Sequence, residues 1–544
     1  MEPREDSIQL ITYDQGERII SLLERLCAAV EKTDGIEVVN SFSETVNQHL
    51  PTRSRYERKE YLEVKFNLFY DRYAQRREDE YNQGRYFYPA NGISDKDMGG
   101  REDNIIKELE DLDFPHAVYD TKYYWDVPEL ERENAINVYP IDLWSTMNFG
   151  AVISLMSEHA KQLVRDKKLS LLIQCDGEAF AIDEQQWIRK LSETLISHHM
   201  KGCKIVLTCA DLDFKQNYSK WGVVNKDISD NINITTLSID YFQFAYLKQY
   251  LKRTGRYDFS EKKPCEYGKY KDKDGKISNS KPAEILLKPP FASEKKMDFI
   301  CYNGASRPHR IALVSELYRL GLHKNLISLL FRYDDVPSIQ KNEILCNYIK
   351  DTFYKTDEQK QFFDAMFVKD RTRKSIVIDS DVNDIQEDDR VSPAKHYKET
   401  YFSLVSETRF GLTSTTVNSA GPPGEYFNRP FFITEKTFKP IAYFHPFVIA
   451  GPAGMLQYLR DEGYETFPEM FDESYDTIED DKERFNKICE VVNEFCKRPK
   501  EEKQQLYNSV RNKLIHNNQR YIDKFDILKK RYTNYYRQIG SHLK

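Results

Sequence analysis

A chain of 544 residues and 64.3 kDa has the length of two to four domains at about 150 residues each. Lys and Arg number 80 against 87 Asp and Glu, and the resulting formal charge of −7 excludes a generic polyanion binder, though not a local basic patch. Aromatic residues make up 13%, with 36 Tyr and 31 Phe, and supply a core beside a hydrophobic share of only 40%, which excludes wholesale disorder; 22 Gly and 21 Pro are too few for collagen-like or linker-like classes.

Met1–Asp6 has no basic region leading into an apolar stretch, so no secretory signal is expected. No apolar run reaches the ~18 residues of a spanning helix, so no membrane partner is expected. Ile19, Leu22, Leu23 and Leu26 recur at helical spacing and predict an amphipathic helix within residues 8–26. Gly84, Pro89, Gly92, Gly99 and Gly100 predict a loop over 82–101. The apolar run 169–175, the helical pattern of Trp187, Ile188, Leu191, Leu195 and Ile196, and the apolar run 203–209 read as a βαβ unit, hence a parallel sheet. A further strand is expected at 232–239. Residues 261–282 carry mostly Lys, Asp, Gly and Ser, with Pro264 and Pro282, and read as a linker.

A second series follows. Strands are expected at 297–302, 326–331, 375–378, 401–406 and 446–450, and helices at 311–320, 435–444, 455–461, 481–497 and 501–538. No repeat of 20–50 residues is found. The nine cysteines include no C-x-x-C and are odd in number, which argues against a disulfide framework and a structural zinc site. The chain reads as a soluble, cytoplasmic protein of a reducing compartment.

Chemistry is expected at two helix starts. Tyr302–Arg310 follows a strand and opens a helix; Gly304 suits a tight turn, Ser306 can cap, and Pro308 suits the first turn. Free N–H groups there, with Arg307 and Arg310, form an anion site; a solvated loop whose arginines meet carboxylates is the alternative. Thr434 is the expected cap of the second helix, with Glu435 and Lys436 in its first turn. The carboxylate can hold a ribose diol and the ammonium a diphosphate, or Glu435 simply complements the helix dipole. Asp176 and Glu178 follow a strand end, and either suits a general base; an ordinary acidic turn has the same composition. Of the D-x-D pairs (95/97, 111/113, 211/213, 272/274 and 379/381), Asp211/Asp213 is best placed to hold a metal, after a strand. No metal site is assigned: His198–His199 lacks a carboxylate or Cys at ligand spacing and reads as solvated or capping.

Thr434-Glu435-Lys436, the following helix and strand to Gly451, and the preceding Tyr401–Glu407 run resemble the donor half of GT-B glycosyltransferases, most closely the α1,3-fucosyltransferase type, and related uncharacterised bacteriophage and large-virus chains. The likeness covers about residues 295–500. It implies two Rossmann-like α/β domains with a cleft between them and a C-terminal helix returning to the first. It implies a nucleotide-diphosphate sugar as donor substrate, with no tightly bound cofactor. Glu435 then matches the ribose-binding Glu, Lys436 the phosphate-facing Lys, and Arg307 or Arg310 the diphosphate-binding Arg. Ser306, Glu407 and Thr434 complete the expected donor site. Phe432 stands where the family has Tyr, and Ser406-Glu407-Thr408 where it has Glu-Asn-Ser, so fucose is not implied.

The resulting division is an N-terminal helical or irregular extension (1–110), an acceptor-side α/β domain (111–260), a linker (261–296), a donor α/β domain (297–500) and a basic C-terminal helix (501–544). Residues 511–544 hold nine Lys and Arg against two Asp, with an apolar face of Leu514, Tyr521, Phe525, Leu528, Tyr532 and Tyr535. The expected function is a cytoplasmic, viral glycosyltransferase (in the host cytoplasm) acting on a glycan, protein or modified-DNA acceptor. The alternatives are a DNA-base (hydroxymethyl) glycosyltransferase, which the basic, aromatic C-terminus would serve, and an inactive structural or virion-associated protein that kept the fold.

Overall fold

Short runs buried on both faces, such as Ile205–Leu207 and Phe447–Ala450, can be satisfied only inside sheets covered by helices on each side, which is the parallel arrangement. A computed structural model describes residues 64–71, 104–142, 153–154, 156–175, 187–239, 242–258, 263–264, 270–271, 277–278, 289–304, 306–329, 343–369, 376, 394–411 and 431–543. The helix expected within 8–26 and the loop at 82–101 lie outside these residues.

The first sheet contains β1 (Lys65–Tyr70), β2 (His116–Asp120), β3 (Ala135–Asp142), β4 (Ser170–Cys175), β5 (Lys204–Cys209) and β6 (Asn233–Ser238). Their order is β2-β1-β3-β4-β5-β6 and every pair is parallel. The helices between them are α1 (Asn104–Asp111), α2 (Glu129–Glu133), α3 (Glu158–Arg165), α4 (Trp187–Ser197) and α5 (Phe214–Val224), with α6 (Phe242–Thr254) after β6. The predicted βαβ unit is β4-α4-β5. Leu171, Ile173, Ile205 and Leu207 meet Leu163, Leu191 and Leu195 in one core. The chain leaves β1 toward β2 and then crosses to β3 on the other side. That reversal places a crevice outside the carboxyl ends of β1 and β3.

β1 corrects the expectation for residues 1–110. It lies inside the sheet, with Phe66, Leu68 and Phe69 fully buried, rather than in an extension. Its pairing partners, Phe66↔His116 and Lys65↔Ala135, are distant in sequence, and a six-residue strand amid charged residues carries no periodicity strong enough to reveal them.

The second sheet has β7 (Met297–Cys301), β8 (Leu326–Ile327), β9 (Thr400–Ser406) and β10 (Phe447–Ala450) in the parallel order β8-β7-β9-β10. Around it lie α7 (Pro308–Arg319), α8 (Glu343–Phe353), α9 (Asp357–Phe363), α10 (Glu435–Ala442), α11 (Met455–Asp461) and α12 (Asp481–Lys497). Of the strands expected at 326–331 and 375–378, the described residues contain β8 and one antiparallel bridge, Leu329↔Ile376. Within the expected linker, 263–264 pairs with 257–258 and 270–271 with 277–278.

Residues 65–544 form one unit. The single helix expected at 501–538 is three: α13 (Lys500–Ser509), α14 (Arg511–Asp523) and α15 (Phe525–Leu543). No Gly or Pro marks the breaks; they fall at Val510 and Lys524, both buried, where packing decides. On α15 the buried face carries Tyr536 and Ile539 rather than Tyr535. α14 packs on α10, while α15 reaches β5 and β6 of the first sheet. The C-terminal helix thus returns to the first half, completing the expected architecture of two Rossmann-like α/β halves. Four of the nine basic residues of 511–544 pair within the chain: Lys524 with Glu462, Arg531 with Glu462 at 3.3 Å, Lys529 with Asp113 at 2.5 Å and Lys513 with Glu469 at 2.7 Å.

Tyr536 closes this return. Its hydroxyl donates to Glu108 Oε2 at 2.6 Å and accepts from Gln174 Nε2 at 2.9 Å. All three side chains are buried. Tyr536→Phe removes a donor to a buried carboxylate, and chemical denaturation is expected to show a loss of about 1–3 kcal/mol. An unchanged midpoint would mean that α15 is not held by this contact.

Candidate functional site

The carboxyl end of β9 meets the start of α10. Thr434 is the N-cap, as its residue type predicts, and its hydroxyl accepts from the Lys436 N–H at 3.3 Å. Glu435 and Lys436 occupy the first turn and pair at 3.0 Å, their side chains 20% and 27% exposed. Burial pushes the Glu435 carboxyl up, but the Lys436 and Lys439 ammonium groups outweigh it and hold it down to about 2. Lys436 Nζ also reaches Thr434 Oγ1 at 3.2 Å and Thr408 Oγ1 at 3.4 Å.

Glu407, just after β9, is fully buried. Its Oε1 accepts from Thr434 N–H at 3.2 Å and Thr437 Oγ1 at 2.6 Å. Its Oε2 accepts from Thr408 N–H at 3.1 Å and Thr434 Oγ1 at 2.7 Å. The carboxylate expected to face a nucleotide instead ties the loop after β9 to the first turn of α10. Arg310, buried on α7, donates from Nη2 to the carbonyls of Ser406 at 3.2 Å and Glu407 at 3.0 Å. His309 meets the same Glu407 carbonyl through Nε2 at 2.9 Å. Burial, with Arg310 beside it, keeps the His309 pKa well below the ordinary histidine value, so the ring is neutral and Nε2–H is the donor.

Arg310 and Lys436 therefore flank the same strand end, although 126 positions separate them in sequence. Arg307 is the N-cap of α7, partly exposed, and Pro308 holds the first helical position. This corrects the capping role expected for Ser306: proline's fixed φ and missing N–H suit the first position, which moves the cap to Arg307 and leaves Ser306 buried one residue upstream. The adjoining loops are held by Arg484, which donates to the carbonyls of Phe410 at 2.5 Å and Gly451 at 3.1 Å. A Cβ on Gly451 would fall 2.3 Å from Met455 Sδ, so a larger residue there requires that side chain to move.

The two halves meet beside this site. Leu212 N–H donates to the Phe431 carbonyl at 2.9 Å, and Phe431 N–H to Asp211 Oδ1 at 2.8 Å. Asp213 N–H reaches the same oxygen at 3.0 Å. Ala210 and Phe432 pack together, both buried. Asp211 is completely buried, and burial pushes its carboxyl up to about 7 against those N–H groups, with Asp213 adding to the rise. The best-placed D-x-D pair is thus a junction between the halves. Asp111 and Asp113 pair with Lys248 and Lys529; the other D-x-D pairs lie outside the described residues. Among the described residues no group of three or more His, Cys, Asp and Glu is arranged to hold a metal, and no helix is long and apolar enough to cross a membrane. His199 takes φ +57° beyond the end of α4 and the His198 carbonyl accepts from Arg165 at 3.3 Å.

On the first sheet, Asp176 and Glu178 lie outside the described residues. Asp71, after β1, was not anticipated. It accepts from Thr121 Oγ1, Tyr139 OH at 3.1 Å, and Ser157 N–H and Oγ, each at 2.7 Å. Its only sequence signal is a short apolar run, Phe66–Tyr70, that ends in an acid.

The fold defines the class: an α/β protein of two Rossmann-like parallel halves. No protein-family model matches the chain, and no curated protein matches it. Among solved structures, an α,α-trehalose-phosphate synthase (UDP-forming) from Burkholderia vietnamiensis is similar over 79% of this chain and 78% of its own, at 9% identity and a TM-score of 0.33. A superposition that loose says nothing of substrate or mechanism.

Asp211 sets a pH dependence. A carboxyl whose folded value, about 7, lies above its unfolded one (~3.9) binds a proton in the folded state between them. Its contribution to stability is full below pH ~4 and is lost as the pH rises to about 7. Asp211→Asn removes that loss, so thermal denaturation should show Tm at pH 8 raised by roughly 2 °C or more, with a smaller difference at pH 5. A variant less stable at pH 8 would show that the ionised carboxylate holds the junction.

Proposed function

We propose that this protein is a glycosyltransferase that moves a sugar from a nucleotide-diphosphate sugar to an acceptor hydroxyl. The observation that carries the reading is the partly exposed Glu435–Lys436 pair. It stands in the first turn of α10, at the carboxyl end of a parallel sheet, among groups otherwise buried. That is where a doubly wound sheet binds nucleotides and where helix N–H groups favour anions. Residues 297–500 form the donor half in this reading, and 111–260 with β1 the acceptor half.

Glu435, ionised across the neutral range, accepts the ribose hydroxyls. Lys436, with Arg307, neutralises the diphosphate as negative charge develops on it, an electrostatic contribution that grows toward the transition state. Glu407, Arg310 and Thr434 set the position of that pair rather than touch the nucleotide. One of Asp176 and Glu178, which come after β4 in the sequence, takes the acceptor proton. The pairing of Lys513, Lys524, Lys529 and Arg531 with carboxylates of the chain itself speaks against a DNA acceptor.

A thermal-shift series with UDP, GDP, CMP, ADP and dTDP should find at least one that raises Tm. Glu435→Gln should weaken that nucleotide by about 1.5–3 kcal/mol, while Lys436→Ala lowers turnover more than affinity for the bare nucleoside. Because Glu435 is held at about 2, its share of binding should be constant from pH 5 to 8. If no nucleotide shifts Tm, the chain has kept the fold without the activity.

A further inference from the structure

Asp211 is wholly buried where the two halves meet, and its two oxygens stand in different surroundings. Oδ1 takes an N–H from each half, Phe431 at 2.8 Å and Asp213 at 3.0 Å. Oδ2 is buried with no hydrogen-bond partner. In a neutral carboxyl an unmet oxygen costs little; in a carboxylate it lacks the donors that a buried charge requires. The groups around it do not make up the deficit. Burial weighs most against the charge, the Asp213 carboxylate adds to that, and Asn217 of α5 favours the charge without bonding Oδ2. On the adjoining elements, Lys215 of α5 is exposed. Glu435 and Lys436 of α10 pair with each other at 3.0 Å, and the Tyr458 ring of α11 lies against Phe431 at 5.7 Å.

The segment that Asp211 holds can let go on its own. Residues 431–434 belong to no helix or strand, so no ladder breaks when they move. Residues 431–433 are fastened to the first half by the Phe431 N–H on Asp211, by the Phe431 carbonyl on the Leu212 N–H at 2.9 Å, and by Phe432 against Ala210. One residue on, Thr434 is pinned from within the second half. Its N–H and hydroxyl donate to Glu407 at 3.2 and 2.7 Å. A release therefore ends at Thr434 and leaves the first turn of α10 in place. Phe431 is itself partly exposed, so a small displacement brings water to Oδ2. Local openings of this size are an ordinary part of native-state behaviour.

We infer that Asp211 is a proton-operated latch between the halves: protonated, it fastens residues 431–433 to the first half, and loss of the proton shifts that segment toward release while Thr434 stays in place. The closed carboxyl is pushed up to about 7 by burial; in the released segment it meets water and titrates near ~3.9. The closed form is therefore favoured most below pH ~4. It loses ground about tenfold for each pH unit from there to about 7 and no further above it. The segment leads straight into the turn that carries Glu435 and Lys436, so the proton controls whether the two halves touch beside that pair. Only its meaning for turnover rests on the glycosyltransferase reading.

The test is amide hydrogen exchange on the full chain without nucleotide, from pH 5 to 8. It is read residue by residue by mass spectrometry, with each rate divided by that of an unprotected amide. The opening constant at Phe431 should rise about tenfold per pH unit up to about 7 and then level off. At every pH it should exceed that of Thr434 and of Ile205–Leu207 in β5. Asp211→Asn keeps an acceptor for the Phe431 N–H and cannot ionise, so its profile should be flat. A flat wild-type profile overturns the latch, whether or not the variant folds. So does a slope that survives Asp211→Asn, or a Phe431 amide that opens only together with Thr434 or β5. The nucleotide series is run in parallel on the unmodified chain. A sloped profile without nucleotide binding keeps the latch and removes the transferase reading; nucleotide binding with a flat profile removes the latch alone.

Discussion

A carboxylate taken wholly out of water must be met by donors on both oxygens, or the strand that carries it cannot end there. Glu407 is that carboxylate. Its four partners come from Thr408 on its own loop and from Thr434 and Thr437 on α10. The start of α10 is thereby fixed against the end of β9, and the positions of Glu435 and Lys436 follow. Arg310 and His309 add order from the other side by reading the backbone carbonyls of Ser406 and Glu407. Removing the Glu407 carboxylate would release several parts at once, because no second contact among the described residues joins the same two elements through a side-chain carboxylate.

The far end of α10 is held by different physics. Phe438 stacks on Tyr521 of α14 at 5.6 Å and 5° between planes. The Ala442 carbonyl accepts from Tyr250 OH at 3.1 Å and Asn518 Nδ2 at 2.8 Å. α6 of the first half and α14 thus grip one helix that begins at the candidate site. With the Asp211–Phe431 contact at its other end, α10 links the edge of the second sheet to the first.

Much of the candidate site was legible in the chain. Thr434 before an acidic first turn marks a helix start by itself, because the cap hydroxyl and the dipole act within one turn. Pro308 marks another, and its position, not that of Ser306, names the cap. The roles of Glu407 and Asp211 were not legible. A carboxylate beside a strand end looks the same in sequence whether it faces a ligand or four buried donors. The partners that decide it lie 27 and 220 positions away.

The sequence by itself determined what local physics controls: the apolar runs of β4, β5, β9 and β10, the amphipathic α4, the N-cap of α10, and hence two parallel α/β halves. It also contained the basic apolar face of the last helix. Only the tertiary structure decided which of those charges stay exposed and which pair with Glu462, Asp113 and Glu469. It alone placed β1 in the first sheet, broke the C-terminal helix at two buried residues, and left Trp125 in water while burying its neighbour Tyr124. The reason is common to all four. Periodicity reports a preference for one face, whereas burial is settled by contacts that close only when segments remote in sequence have packed.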